Sequence, residues 1–200
     1  MPWLEPVSLR GEHAWLEPLS PAHREDLVEA AKDGELFKLW YTSVPKPENM
    51  QKEIDRRLGL QAAGTMLPFT VFDPTGAIAG MTTYMNVDSA NRRVEIGSTW
   101  YAKRVQRTPL NTQCKLLLLT HAFEKLDCIA VEFRTHFFNH QSRRAIERLG
   151  AKQDGILRSH QIAPNGTLRD TVVFSIIASE WPTVKAHLDY QLNDKPRQSG

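Results

Sequence analysis

A chain of 200 residues, 41% hydrophobic and 24% charged, supplies one ordinary core and is too short for two comfortable domains. That balance excludes disorder of the whole chain, and a formal charge of +2, from 25 basic and 23 acidic residues, excludes nucleic-acid binding through bulk electrostatics. Basic residues still gather at Lys103, Arg104 and Arg107 and again at Arg143, Arg144 and Arg148, which suits either a compact anionic ligand or solvated surfaces.

The first predicted element is a short strand from Ala14 to Leu19. Ser20-Pro21 then supplies an N-cap and a first-turn proline for a helix from Pro21 to about Lys32, ending near Gly34. An aromatic, proline-bearing segment follows, Trp40-Tyr41-Thr42-Ser43-Val44-Pro45. A second helix after Pro47 carries Met50, Ile54, Leu58 and Leu60 as far as Gly64. Strands Leu67 to Phe72 and Ile78 to Tyr84 form a hairpin about Asp73-Pro74-Thr75-Gly76, where proline presets one dihedral and glycine accepts a positive one. A third strand runs from Arg93 to Tyr101.

Thr108-Pro109 opens the long helix, in which Leu110, Cys114, Leu117, Leu118, Ala122 and Leu126 recur as a buried stripe with His121 on its exposed side. Cys128 to Phe137 reads as a strand, and Asn139 to Leu149 as a helix capped by Asn139 and stopped by Gly150. Strands Gly155 to Ile162 and Leu168 to Ile177 flank the turn Ala163-Pro164-Asn165-Gly166, and a helix from Ser179 to about Leu188 closes the unit. The expectation is one α/β domain over residues 1–192, of α+β type, with a mixed, largely antiparallel sheet flanked by helices and a polar, mobile tail at 193–200.

Several chemistries find no support. Cys114 and Cys128 lack CxxC partners, so reduced buried thiols are expected in place of a disulfide framework or zinc cluster. His136 and His140 straddle a strand end and a helix start, which breaks i, i+4 ligand geometry, so no metal is expected. Hydrolase elbows, Walker loops and dinucleotide fingerprints are absent. The longest aliphatic block, Leu116 to Leu119, cannot span a bilayer, and no basic segment leads into an apolar core at the N-terminus; a cytoplasmic protein without a membrane partner is expected.

Four stretches, in this order, carry a resemblance: Val94-Glu95-Ile96-Gly97; Asn139-His140-Gln141-Ser142 followed by Arg148-Leu149-Gly150-Ala151; Gly155-Ile156-Leu157-Arg158; and Ser179-Glu180-Trp181. Together with the element order they resemble the GNAT superfamily of acetyl-CoA-dependent N-acetyltransferases over about residues 8–189, nearest the branch of the ribosomal-protein N-terminal acetyltransferases. The chain departs from that family at Arg104-Val105-Gln106-Arg107-Thr108-Pro109. There Arg107 and Pro109 fill two glycine positions of the phosphate-cradling loop, and proline removes one candidate amide donor.

The resemblance implies coenzyme A as co-substrate, its pantetheine arm lying between two splayed strands and pairing with backbone near Thr99, Trp100 and Tyr101. Arg104, Val105, Gln106, Arg107, Thr108, Leu110 and Asn111 would then face the phosphates, and Asn139, Ser142 and Arg143 the arm. Glu95 is the candidate base, with a solvent-facing or structurally paired glutamate as its alternative. Ser142 is the candidate donor to the leaving sulfur, with local helix capping as its alternative. The acceptor is a small-molecule amine or a protein N-terminus, expected against Trp40, Tyr41, Tyr84 and the loop near Pro164. A monomer or homodimer is equally compatible, and the competing function is a non-catalytic acyl-CoA-binding or sensing module.

Overall fold

The computed structural model describes residues 3–42, 44–163 and 165–193, so the expectations placed on Pro164 and on the tail from 194 onward lie outside the described residues. Chain entry into the first helix follows from Ser20: its Oγ accepts from the Ala22 amide and its own amide donates to His23 Nδ1, a reciprocal cap over Pro21–His23. Helix α1 (Arg24–Lys32) follows, burying Leu27, Ala30 and Ala31. Helix α2 (Met50–Ala62) buries Met50, Ile54 and, unusually, Arg57.

Among the described residues eight strands make one sheet: β1 (Leu9–Arg10), β2 (Trp15–Pro18), β3 (Met66–Phe72), β4 (Ile78–Asp88), β5 (Arg93–Tyr101), β6 (Ala130–His136), β7 (Lys152–Ile162) and β8 (Leu168–Ile177). Their spatial order is β1-β2-β3-β4-β5-β6-β8-β7, every neighbour antiparallel except the parallel pair β5–β6. The long helix α3 (Leu110–Glu124) is the crossover that a parallel pair requires. Helix α4 (His140–Glu147) follows β6, and α5 (Trp181–Asn193) ends the described chain, its Trp181 ring stacked 5.2 Å from Phe123 of α3.

Alternation along the strands sets two faces. Tyr84 of β4 is fully buried and donates its hydroxyl to the Leu118 carbonyl of α3, so Ile96, its partner across β5, faces α3 as well. Glu95 and Gly97 therefore face the opposite side, where Arg57 of α2 reaches Thr83. Placing Tyr84 on the acceptor side is thus corrected: β4 is buried on both faces at that point, and the tyrosine belongs to the α3 layer. His121, expected on an exposed surface, is half-buried instead, because it stacks on that same Tyr84 ring at 5.9 Å. Both cysteines are buried free thiols, as expected. No helix among the described residues is long and apolar enough to cross a membrane.

Candidate active site

The parallel pair β5–β6 is joined at only three positions, Arg93↔Ala130, Val94↔Val131 and Glu95↔Glu132. Beyond Glu95 and Glu132 the strands part, although β5 continues to Tyr101 and β6 to His136. A bulge helps to separate them. Thr83 pairs with Gly97 and Met81 with Trp100, so Ser98 and Thr99 together oppose Thr82, and Ser98 takes a left-handed φ of 48°. Arg57 holds this bulge from α2, donating through Nη2 to the Ser98 carbonyl at 3.2 Å and through Nη1 to Thr83 Oγ1 at 2.7 Å. The result is a wedge-shaped gap with strand backbone along both sides.

Glu95 stands where the wedge closes. Its carboxylate is buried, accepts from Asn86 Nδ2 at 2.7 Å, and lies 3.4 Å from Arg134 Nε. Burial pushes its pKa above the ordinary carboxylate range, against the opposing pull of Asn86, Arg134 and Arg169. Glu132, directly across the pair, behaves oppositely: burial pushes it up, but hydrogen bonds from Arg93 and Arg134 outweigh this and hold it down. Two adjacent carboxyls with pKa values driven apart are the arrangement acid–base chemistry uses. They share a cleft of about 170 Å³ with Asn86 and Arg93. Gly97 leaves room for the Glu95 carboxyl, since a Cβ there would stand 2.7 Å from Met85 Sδ and 2.9 Å from Glu95 Oε1.

Further along the same face His136 ends β6. Around it gather Trp40 at 5.0 Å, Phe138 at 5.9 Å and Tyr41 at 6.3 Å between ring centroids. Trp40 and Tyr41, from the aromatic segment between α1 and α2, thus stand against the end of β6. Asn139 caps α4 by accepting the Ser142 amide at 3.0 Å. Ser142 is half-buried, and among the described residues its Oγ makes no hydrogen bond. Arg143 packs its guanidinium 5.0 Å over the Phe137 ring and donates to the Phe137 carbonyl, bracing the β6–α4 turn.

At the wide end, Thr108 Oγ1 accepts the Leu110 amide at 3.3 Å, and the Gln113 amide reaches the Pro109 carbonyl. Among the described residues the amides of Asn111 and Thr112 meet no protein acceptor, so two donors are left at the start of α3. Arg104 is engaged elsewhere: its guanidinium pairs with Asp73 and donates to the Ile78 carbonyl at 2.8 Å. Gln106 donates to the Tyr101 carbonyl, and Val105 is buried in the core. Arg107 is the exposed cation of this loop with no protein partner among the described residues. The cleft beside the loop, about 320 Å³, is lined by Arg104, Thr108 and Pro109 together with His13 and Asp73.

A family model described as the acetyltransferase (GNAT) domain matches residues 13–152. The chain belongs to this family. A GCN5-related N-acetyltransferase from Brucella melitensis is 30% identical and superposes with a TM-score of 0.87, covering 99% of this chain and 90% of its own. A T. thermophilus protein assigned to the acetyltransferases is 32% identical with a TM-score of 0.82, covering 95% and 99% respectively. Bacillus subtilis (strain 168) YdaF, to which a ribosomal N-acetyltransferase role is ascribed, is 34% identical over 106 residues, 53% of this chain and 57% of that relative.

A GNAT acetyltransferase carries acetyl from acetyl-CoA to an amine, and the residues here fit that donor. Among the described residues six buried side-chain polar atoms lack a partner, and two of them, on His136 and Arg169, lie on the sheet face that carries Glu95. An extended arm entering the wedge would find unpaired strand backbone at Thr99, Trp100 and Tyr101, and its phosphates the amides of Asn111 and Thr112 with the α3 dipole behind them. The substituted glycines alter less than their chemistry suggests, because Arg107 adopts the glycine-like φ of 63°. Holding a side chain in that region costs about 1–2 kcal/mol, and glycine returns about 0.5–1 kcal/mol of it as lost chain entropy. Arg107→Gly is therefore expected to raise the melting temperature by about 1–4 °C while weakening acetyl-CoA several-fold, through loss of the guanidinium. Thermal melts and calorimetric titration of the same samples check both signs.

Proposed function

We propose that this chain acts over residues 1–192 as an N-acetyltransferase on the α-amine of a protein N-terminus, in the cytoplasm, as a monomer or homodimer and without a nucleic-acid or membrane partner. The observation that carries the acceptor side is the buried Glu95 at the closed end of the wedge, its pKa raised by burial, with an aromatic-rimmed opening beside it. An α-amine titrates at about 7.7–8.0, against about 10.4 for lysine, so a carboxylate with a modestly raised pKa suffices to take its proton. The ribosomal role ascribed to YdaF favours a protein acceptor over a small metabolite.

The bound donor supplies a thioester carbonyl as electrophile. The amine nitrogen attacks that carbon, the C–N bond forms and the C–S bond breaks, with the nitrogen's proton passing to Glu95 directly or through water. Ser142 Oγ–H donates to the departing thiolate. No covalent enzyme intermediate is needed, and alignment of the two substrates supplies much of the rate.

The test combines acetyl-CoA with peptides that carry a free or a blocked N-terminus and locates the added acetyl group by mass spectrometry. Acetylation of the free α-amine, with lysine side chains untouched, is expected. In the same assay Ser142→Ala is expected to turn over about 10- to 1000-fold more slowly with unchanged acetyl-CoA affinity. Tight acetyl-CoA binding without transfer to any amine would favour the sensing module, whose only motive is the pair of substituted glycines at Arg107 and Pro109.

A further inference from the structure

Arg169 is conspicuous on β8. Among the described residues it makes neither a side-chain hydrogen bond nor an ion pair, although it is half-buried and its Nε is fully covered. An arginine that gives up hydration without a partner is costly, and its planar fork is best matched by an oxygen acceptor. Register places it. Thr171 stands opposite His136, so Arg169, two residues away, is the diagonal neighbour of His136 on the face that also carries Arg134 and Glu95. Its charge is felt at both ends of that face, raising the ease of ionisation of Glu95 and lowering that of His136.

His136 contributes a second donor. Its Nδ1 accepts the Phe138 amide at 3.1 Å, which puts the proton of the neutral ring on Nε2, and Nε2 is buried without a partner. Burial lowers the pKa of the ring, so the neutral tautomer prevails. The neighbouring acid on β8, Asp170, is engaged by Arg158 and the Ser159 amide and does not compete. Trp40 packs edge-on against His136, yet is 53% exposed, so an entering molecule can displace a ring that already lies at the surface.

We infer that Arg169 and His136 form a subsite for the carbonyl oxygen attached to the carbon bearing the reacting amine, so that the acceptor is an α-aminoacyl group. The pairing is complementary: oxygen to the two N–H donors, and amine to the Glu95 carboxylate through water, since His136 stands four residues beyond Glu132, the partner of Glu95. The inference rests on the acetyl-transfer reading above and adds what the site reads beside the amine. A peptide N-terminus and a free amino acid both carry this group; an alkylamine does not.

The experiment measures kcat and KM for three acceptors, a short peptide, its free first amino acid and an alkylamine of matching length, with wild type, Arg169→Gln and His136→Phe. Ratios between enzymes cancel the differing basicities of the acceptors. Loss of a hydrogen bond to a charged donor predicts a fall of about 10- to 100-fold in kcat/KM for the aminoacyl acceptors with Arg169→Gln, mostly in KM, and a distinctly smaller fall for the alkylamine, which feels only the loss of the Arg169 charge at Glu95. His136→Phe is expected to do the same more weakly, since its donor is neutral. Unchanged acetyl-CoA titrations and melting curves show that the variants fold. Equal losses for all three acceptors, or none, overturn the subsite. Transfer to the free amino acid but not to the peptide keeps the subsite and removes the protein N-terminus as acceptor.

Discussion

Glu95→Gln is expected to lower kcat by about 10²-fold at pH 7, the low end of the range for a general base, because an α-amine is already about one-tenth neutral there. The pH profile carries more information than the rate. Burial raises the Glu95 pKa, so activity of the wild type falls as pH drops through a value above the ordinary carboxylate range. The variant lacks that acid limb, and its deficit narrows as pH passes the acceptor's own pKa of about 8. Stability has the opposite sign. A carboxyl whose folded pKa is raised favours the fold most when protonated, and that contribution is lost as pH rises through the raised value. At neutral pH the ionised Glu95 therefore opposes folding, and the glutamine is expected to melt no earlier than wild type. Rate profiles from pH 5 to 9 with parallel melts separate the two effects. An unchanged profile would make Glu95 a structural partner of Asn86 and Arg134.

Where periodicity governs, the sequence was readable. The third meander strand, Arg93–Tyr101, and the strand Leu168–Ile177 stand where alternation places them, and the caps at Ser20 and Asn139 act as their side chains dictate. The two-residue strand Leu9–Arg10 is too short to leave a period, and it exists only because β2 pairs with it. Tyr84 shows a different failure. Seven consecutive positions from Ile78 are buried, so polarity could not tell which face the ring joins. The candidate site was legible only along single strands or loops. Glu95, Ser142 and Asn139 each sit in a local motif, whereas Arg169, Arg134 and Asn86 come together only through strand order, β8 beside β6 beside β5. Arg169 in Leu-Arg-Asp has the pattern of any edge-proximal surface charge. One signal was available: asparagine tolerates the left-handed conformation, and Asn86 uses φ 47° at a β4 irregularity to turn its amide toward Glu95. His136 offers the sequence only a spacing to His140, and its buried, unpaired Nε2 emerges from the fold alone.

Arg57→Met is expected to be the most damaging substitution away from the reacting groups. The residue is 1% exposed, and its guanidinium bonds Glu53 at 2.7 Å, Thr83 Oγ1 at 2.7 Å and the Ser98 carbonyl at 3.2 Å. Methionine fills the volume but donates nothing, which strands both the Ser98 carbonyl and the Thr83 hydroxyl oxygen without their buried donor. Breaking a buried charged pair from one side costs about 3–5 kcal/mol when the remaining charge is orphaned. Glu53 keeps Arg56, at 2.8 Å, so the loss here is expected nearer about 2–3 kcal/mol, or about 4–12 °C in melting temperature. The location decides the functional consequence. Among the described residues no other side chain contacts the carbonyl of the left-handed Ser98, and the bulge it forms directs Thr99 to Tyr101 away from β6. With Arg57 gone, the bulge can relax toward regular pairing and the wedge narrows. Acetyl-CoA affinity is then expected to fall about 10-fold or more at temperatures well below the melt, a change that calorimetric titration at about 15 °C resolves from unfolding. Lowered stability with unaltered affinity would show instead that the strands stay apart without α2, through the α3 crossover alone.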